Sequence, residues 1–253
     1  MFQEVPNWML AFTRCGAILL AMPVFSAPSF PVRLRVGFAA ILAALILPAL
    51  PPVDFTSLSL WRLFGLIFME ASVGLLLGFV ARLVFFAFDV AGTIVTTEMG
   101  LTLPAEFNQF TGSTSMAPAV VLYWMGAVIF FGLDLHHWMI AGAQRSYALV
   151  PVGGAHLSEA LLHDVLGRSG KIFALALQIA APVLAASFMV GLVFSILSRA
   201  VPQMNVFAES YPVRTFVGLT VFGLTVTFMG QHIANSLRRL PEDVFGVARL
   251  VGS

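Results

Sequence analysis

Between Lys171 and Arg199, residues 172–198 read IFALALQIAAPVLAASFMVGLVFSILS, 27 positions without a charge. About 20 apolar residues cross the roughly 30 Å of bilayer hydrocarbon. Fourteen of these 27 are Ile, Leu, Val or Phe. At about −0.3 to −0.6 kcal/mol each they favour insertion by roughly −4 to −8 kcal/mol. The stretch inserts as a helix, and the rest of the chain has the same character. Of 253 residues, 59% are hydrophobic and 10% charged, with a mean hydropathy of +0.96. A soluble domain needs about a quarter of its residues charged to cover its surface. The composition is that of an all-α, polytopic membrane protein, read as a single domain over residues 1–253.

Working outward, uncharged runs give about six candidate spans: Trp8–Phe25, Val36–Leu50, Leu63–Ala81, Met116–Leu133, Ile172–Ser198 and Thr215–Leu237. The third must offset Glu70, whose charge at mid-span costs about 2.5–3.5 kcal/mol. The second has about 15 apolar residues before Pro48, Pro51 and Pro52, which suits a re-entrant or protein-packed helix. Pro23, Pro118 and Pro182 imply kinks, because each removes a backbone donor. A secretory signal over residues 1–27 is disfavoured: Glu4 stands in the start and no Lys or Arg precedes Arg14. If six spans alternated, Arg33, Arg35, Arg82, Arg199 and Arg214 would face one side. Arg62, Arg145, Arg168, Lys171, Arg238, Arg239 and Arg249 would face the other. That asymmetry does not fix an orientation, so the helices do not form a simple bilayer-crossing bundle, or one span is miscounted.

Several functional classes fail on composition and spacing. A net charge of +1 excludes a phosphate-neutralising nucleic-acid binder. Cys15, the lone cysteine, permits neither an internal disulfide nor a CxxC site. In Gly170-Lys171-Ile172 the phosphate-loop pattern fails, with Val165 at the first glycine position, and no GxSxG, HExxH or GxGxxG appears. No catalytic or cofactor-binding residue is assigned. Asp134, His136 and His137 suggest a metal until spacing is considered, since adjacent histidines on a helix point about 100° apart. With only Asp134 and His137 on one face and no further ligand at a suitable offset, no metal site is expected.

The charges left in apolar segments are Glu70, Arg82, Asp89, Glu98 and Arg14. Glu70, Gly74, Gly78 and Arg82 recur every four residues, with Gly74–Gly78 a GxxxG pair that permits close backbone approach. Two readings stand: a packing seam in which Glu70 hydrogen-bonds a neighbour, or a proton relay. Residues 134–171 read as an amphipathic connecting region, with Leu157, Leu161, Leu162, Val165 and Leu166 as an apolar stripe. Thr102–Ser115 reads TLPAEFNQFTGSTS, a polar loop between apolar helices that must lie in water, line a wet cavity or be buried in protein. Tyr211-Pro-Val-Arg214 repeats Phe30-Pro-Val-Arg33, and both stretches open an apolar segment, as suits Pro at a helix start.

An ordered set of short motifs then resembles a known family. It runs Ala-Met-Pro-Val-Phe (21–25), Phe-Pro-Val-Arg-Leu-Arg-Val-Gly (30–37), Leu-Asp-Leu-His-His-Trp (133–138), Ser-Tyr-Ala-Leu-Val-Pro-Val-Gly (146–153), Pro-Gln-Met-Asn-Val-Phe (202–207) and Tyr-Pro-Val-Arg (211–214). In this order the motifs resemble the FliR family of the bacterial type III export apparatus, the flagellar branch more than the injectisome branch. Ala208-Glu209-Ser210 departs from the short apolar, glycine-containing link expected there. The resemblance implies a non-enzymatic, multi-pass subunit of the flagellar basal body in the bacterial inner membrane, without cofactor. It would pack with FliP-like and FliQ-like subunits beside FlhA-like and FlhB-like components, in contact with lipid, around a channel for unfolded flagellar proteins. It further implies that Glu106, Phe107, Asn108, Gln109, Phe110, Thr111 and Gly112 plug that channel. Glu70, Gly74, Gly78, Arg82, Pro202, Gln203, Met204, Asn205 and Phe207 would then serve helix packing or subunit contact. An injectisome subunit is the nearest alternative. A small-solute or ion transporter using Glu70, Asp89 and Glu98 is the alternative from another class.

Overall fold

The computed structural model describes residues 4–27, 30–50, 59–101, 117–156, 158–203 and 205–252. Among these there are eight α-helices and no strand: α1 (Glu4–Ala21), α2 (Val32–Ile46), α3 (Leu60–Glu98), α4 (Ala117–Gly132), α5 (Leu135–Leu149), α6 (Glu159–Ala200), α7 (Val206–Arg238) and α8 (Leu240–Gly252). The all-α membrane architecture expected from hydropathy is the one observed.

Three stretches among the described residues are long and apolar enough to cross a membrane: Leu60–Glu98, Glu159–Ala200 and Ala208–Gly252. The pair α4 and α5, bent by 69° at its break, counts as a fourth if it is one broken span. The helices under the first two expected spans have 18 and 15 residues, about 27 and 22 Å at 1.5 Å per residue, short of the hydrocarbon thickness. They form an antiparallel hairpin instead, with Gly16 of α1 facing Ala39 of α2. Arg35 closes the turn between them by donating to Phe25 O at 2.8 Å. Within that turn Val24 is left-handed at φ 68°, an outlier for a β-branched residue.

The third expected span grows in the other direction. Nothing between Ala81 and Glu98 breaks a helix, so α3 runs on through Arg82 and Asp89 for 39 residues. It stops at Gly100, whose φ of 69° lets Leu101 N–H reach back to Thr96 O at 3.1 Å, the reverse turn that satisfies last-turn carbonyls. Likewise residues 159–171 are not a separate connector but the first turns of α6, which continues through Pro182. Their apolar stripe divides: Leu161 is buried, while Leu162 and Leu166 are exposed.

Pro31 immediately precedes α2, as expected of a helix start, whereas Pro212 lies inside α7. The reason is upstream: Asn205 Oδ1 accepts from Ala208 N–H at 3.2 Å, so a side-chain cap starts α7 before the proline is reached.

The chain divides into two compact units. Unit one comprises residues 1–84, 130–169 and 238–253, and unit two residues 85–129 and 170–237. In unit one, α8 buries Leu240, Val244, Val247, Ala248 and Val251, a stripe at helical spacing. In unit two the core forms where α3, α4 and α7 approach over small residues. A Cβ on Gly126 would lie 2.7 Å from the Phe88 ring, and one on Gly218 2.6 Å from Met99. Phe85 packs with Phe88 and Tyr123 at ring separations of 5.3 and 5.7 Å.

Candidate functional site

Two charges that would each be costly in an apolar helix meet inside unit one. Arg14 of α1 and Glu70 of α3 are 0% and 1% exposed. Arg14 Nε donates to Glu70 Oε2 at 2.6 Å and Nη2 donates to Oε1 at 3.0 Å, a two-pronged pair that matches the planar guanidinium to the carboxylate. The remaining nitrogen, Nη1, donates to Val150 O at 3.0 Å and Ser146 Oγ at 3.2 Å. The guanidinium carbon sits 3.7 Å from the centroid of the Tyr147 ring. Gly153 N–H donates to Glu70 Oε1 at 3.4 Å, from a turn in which Gly153 has φ 72°.

The local sequence explains the meeting. Gly74 lies one helical turn beyond Glu70, and a Cβ there would overlap the Arg14 carbonyl and come 2.7 Å from Ala17 Cβ. At Gly78 a Cβ would stand 2.7 Å from Ala21 Cβ and from Ile18 O. The glycines that draw α1 against α3 therefore set Arg14 beside Glu70. The α5 residues Ser146 and Tyr147 complete the cage, so one ion pair ties three helices and the following turn together. Removing one partner of such a buried pair costs roughly 3–5 kcal/mol, while the intact pair adds little net stability over an apolar replacement. Its contribution is register. With both carboxylate oxygens taken by Arg14, Glu70 is also a poor carrier for a transported ion.

Arg82 does not share this seam. Twelve residues at 3.6 per turn leave it about 120° round the helix from Glu70, and it is exposed. Asp89 is exposed as well. Glu98 belongs to unit two, where Ser187 Oγ donates to its Oε2 at 2.7 Å. Both residues line a cleft of about 330 Å³ with Arg214, whose Nε is buried without a hydrogen-bond partner. The three acids of the transporter reading therefore do not form one described cluster. Pro202 and Gln203 occupy an exposed turn before α7. Met204 lies outside the described residues, as do the plug candidates Glu106, Phe107, Asn108, Gln109, Phe110, Thr111 and Gly112.

Elsewhere in unit one, Arg168 donates from Nε to Asp164 Oδ2 at 2.6 Å and from Nη1 to Asp243 Oδ1, clasping the start of α6 to the start of α8. The grouping of Asp134, His136 and His137 differs from the helical-face expectation. Asp134 is not on α5 but precedes it in left-handed backbone, φ 55°, and donor atoms from all three residues lie within 4.8 Å of one another.

The Arg14–Glu70 pairing is the main feature that spacing did not reveal. The available signal was compensation: one cation in the apolar run of α1 and one anion in that of α3.

Comparison with known proteins places this architecture. Residues 5–240 match the family described as bacterial export proteins, family 1. The flagellar biosynthetic protein FliR of Bacillus subtilis is 28% identical, over 98% of this chain and 96% of its own. The FliR of Caulobacter vibrioides is 29% identical over 93% and 94% respectively. The Yop proteins translocation protein T of Yersinia pestis is 26% identical over 94% and 92%. An all-helical membrane chain matched from α1 into α8, with its buried charges neutralised internally, belongs to family 1 of the bacterial export proteins.

Proposed function

We propose that the chain is a subunit of a flagellar type III export gate in the bacterial inner membrane. It packs with FliP-like and FliQ-like subunits, beside FlhA-like and FlhB-like components, around a channel for unfolded flagellar proteins. The observation that carries this reading is the match of residues 5–240 to the bacterial export proteins, alongside relatives named FliR; an exposed apolar surface accompanies it. On α6, large apolar side chains face outward from Phe173, 60% exposed, through Phe188 to Ile196, 70% exposed. At 1.5 Å per residue that face is about 35 Å long, and about 30 Å of hydrocarbon accommodates it at a tilt near 30°.

The polar loop 102–115, between the Gly100 stop of α3 and the start of α4 at Ala117, then serves as a steric plug. Phe107, Asn108, Gln109 and Phe110 occlude the channel, flanked by Glu106, Thr111 and Gly112. No covalent step is involved. Arg82 and the 202–207 segment, with Pro202, Gln203, Met204, Asn205 and Phe207, contribute to subunit contact.

Extraction in mild detergent tests the reading: the chain should be recovered with FliP-like and FliQ-like subunits. A stable lone monomer that moves a small solute in liposomes would overturn it in favour of the transporter. Deleting residues 106–112 should leave assembly intact and make the membrane leak small ions, and unchanged conductance removes the plug assignment. The likeness to the Yop translocation protein supports an injectisome role as the second reading. Deleting the gene and scoring swimming separates the two, since only the flagellar role predicts loss of motility.

A further inference from the structure

We propose that Asp134, His136 and His137 form a divalent metal site for zinc or a similar first-row ion, clipping the break between α4 and α5. The inference does not depend on the export-gate reading. Imidazole with carboxylate is a donor set suited to zinc, nickel and copper, and one donor atom from each residue lies within 4.8 Å of the others. The rings of His136 and His137 are 4.0 Å apart centroid to centroid. His137 Nδ1 is 3.5 Å from Asp134 Oδ1, longer than a good hydrogen bond. Small rotations of three side chains would bring such donors onto one ion.

Two further observations separate this cluster from an ordinary helix start. Asp is a preferred N-cap residue because its carboxylate normally accepts from the first helical amides, yet the Asp134 side chain makes no cap bond. Its carboxylate is left to the histidines. His136, meanwhile, has a buried Nδ1 without a hydrogen-bond partner. The desolvation of that atom is not repaid by the fold, and coordination through the ring is an interaction that would repay it. The positive end of the α5 dipole opposes a cation, while the Asp134 charge offsets that field. Three protein ligands leave a position for water, as in open zinc sites.

The substitutions that test the site fall on accessible groups, because the side chains of His137 and Asp134 are 70% and 73% exposed. The full chain, co-expressed with its partners and purified through a tag without histidines, is dialysed against zinc and its metal content measured. The wild type should retain one zinc per chain. His137→Ala and Asp134→Asn should retain none, while His163→Ala, an exposed histidine outside the cluster, should match the wild type. Helix content measured by circular dichroism should not change among them. Cobalt bound in place of zinc should give the visible absorption of a site with few ligands, and His137→Ala should abolish it. Zinc content that is the same in the wild type and His137→Ala, or no retained zinc in the wild type, overturns the proposal.

Discussion

Both units expose large apolar side chains, but they differ in the charges they bury. Unit one pairs charged groups: Arg14 with Glu70 at essentially no exposure, and the part-exposed Arg168 with Asp164 and Asp243. Unit two buries no charged side chain to that degree among the described residues, while both units turn large apolar groups outward: Trp61 at 86% and Phe68 at 74% exposed in unit one, Phe216 at 74% and Leu224 at 79% in unit two. Both derive from one greasy sequence, so hydrophobicity alone does not say which surface is finished. A unit whose polar groups satisfy each other internally fixes its own register. The exposed apolar side chains of either unit, which have no internal partners, depend on whatever covers them.

The largest expected effect lies in unit one. Glu70→Ala or Arg14→Ala should lower stability by roughly 3–5 kcal/mol, because the remaining charge stays buried and unpaired. Thermal unfolding in detergent measures this. The double replacement Arg14→Met with Glu70→Leu should recover most of the loss, and a double variant no better than the singles would show that the pair does more than neutralise charge.

Next comes the helix contact that aligns the pair. Gly74→Leu should cost about 1–3 kcal/mol by forcing α1 off α3. Gly170→Ala, where an added methyl meets nothing within 4 Å, should gain up to about 1 kcal/mol of helix propensity. Equal melting shifts at the two positions would mean that α1 and α3 are not held at glycine distance.

The smallest stability change is expected in unit two, and its absence is informative. Phe216→Ala and Leu224→Ala should alter the unfolding of the isolated chain by no more than about 0.5 kcal/mol, as at other surface positions. Each should nonetheless reduce recovery of partner subunits in detergent. A variant that unfolds the chain while leaving recovery unchanged would show that these side chains serve the fold rather than a partner.

Much of the fold was legible because insertion energy is additive along the chain. The 27 residues after Lys171 identify α6 without reference to anything else, and the family motifs fall in order from residue 21 to residue 214. Other features required a view beyond one helix. At the N-terminus span number was not legible, because apolar runs of 15–18 residues suit a packed hairpin as well as a membrane. Placing Arg82 with Glu70 treated an every-four spacing as a straight stripe, although the helix repeat is 3.6. The expectation of no metal at Asp134, His136 and His137 rested on adjacent histidines pointing about 100° apart on a helix, and what spacing could not show is the left-handed backbone that holds Asp134 ahead of that helix.

By itself the sequence determined that this is a helical membrane chain with few charges to place and no motif for chemistry, because local hydropathy and spacing carry that information. Only the tertiary structure decided that Arg14 finds Glu70, 56 residues away, and which apolar faces remain uncovered. Charge pairing and burial depend on the distance between helices, and that distance is set by glycine contacts that no single helix contains.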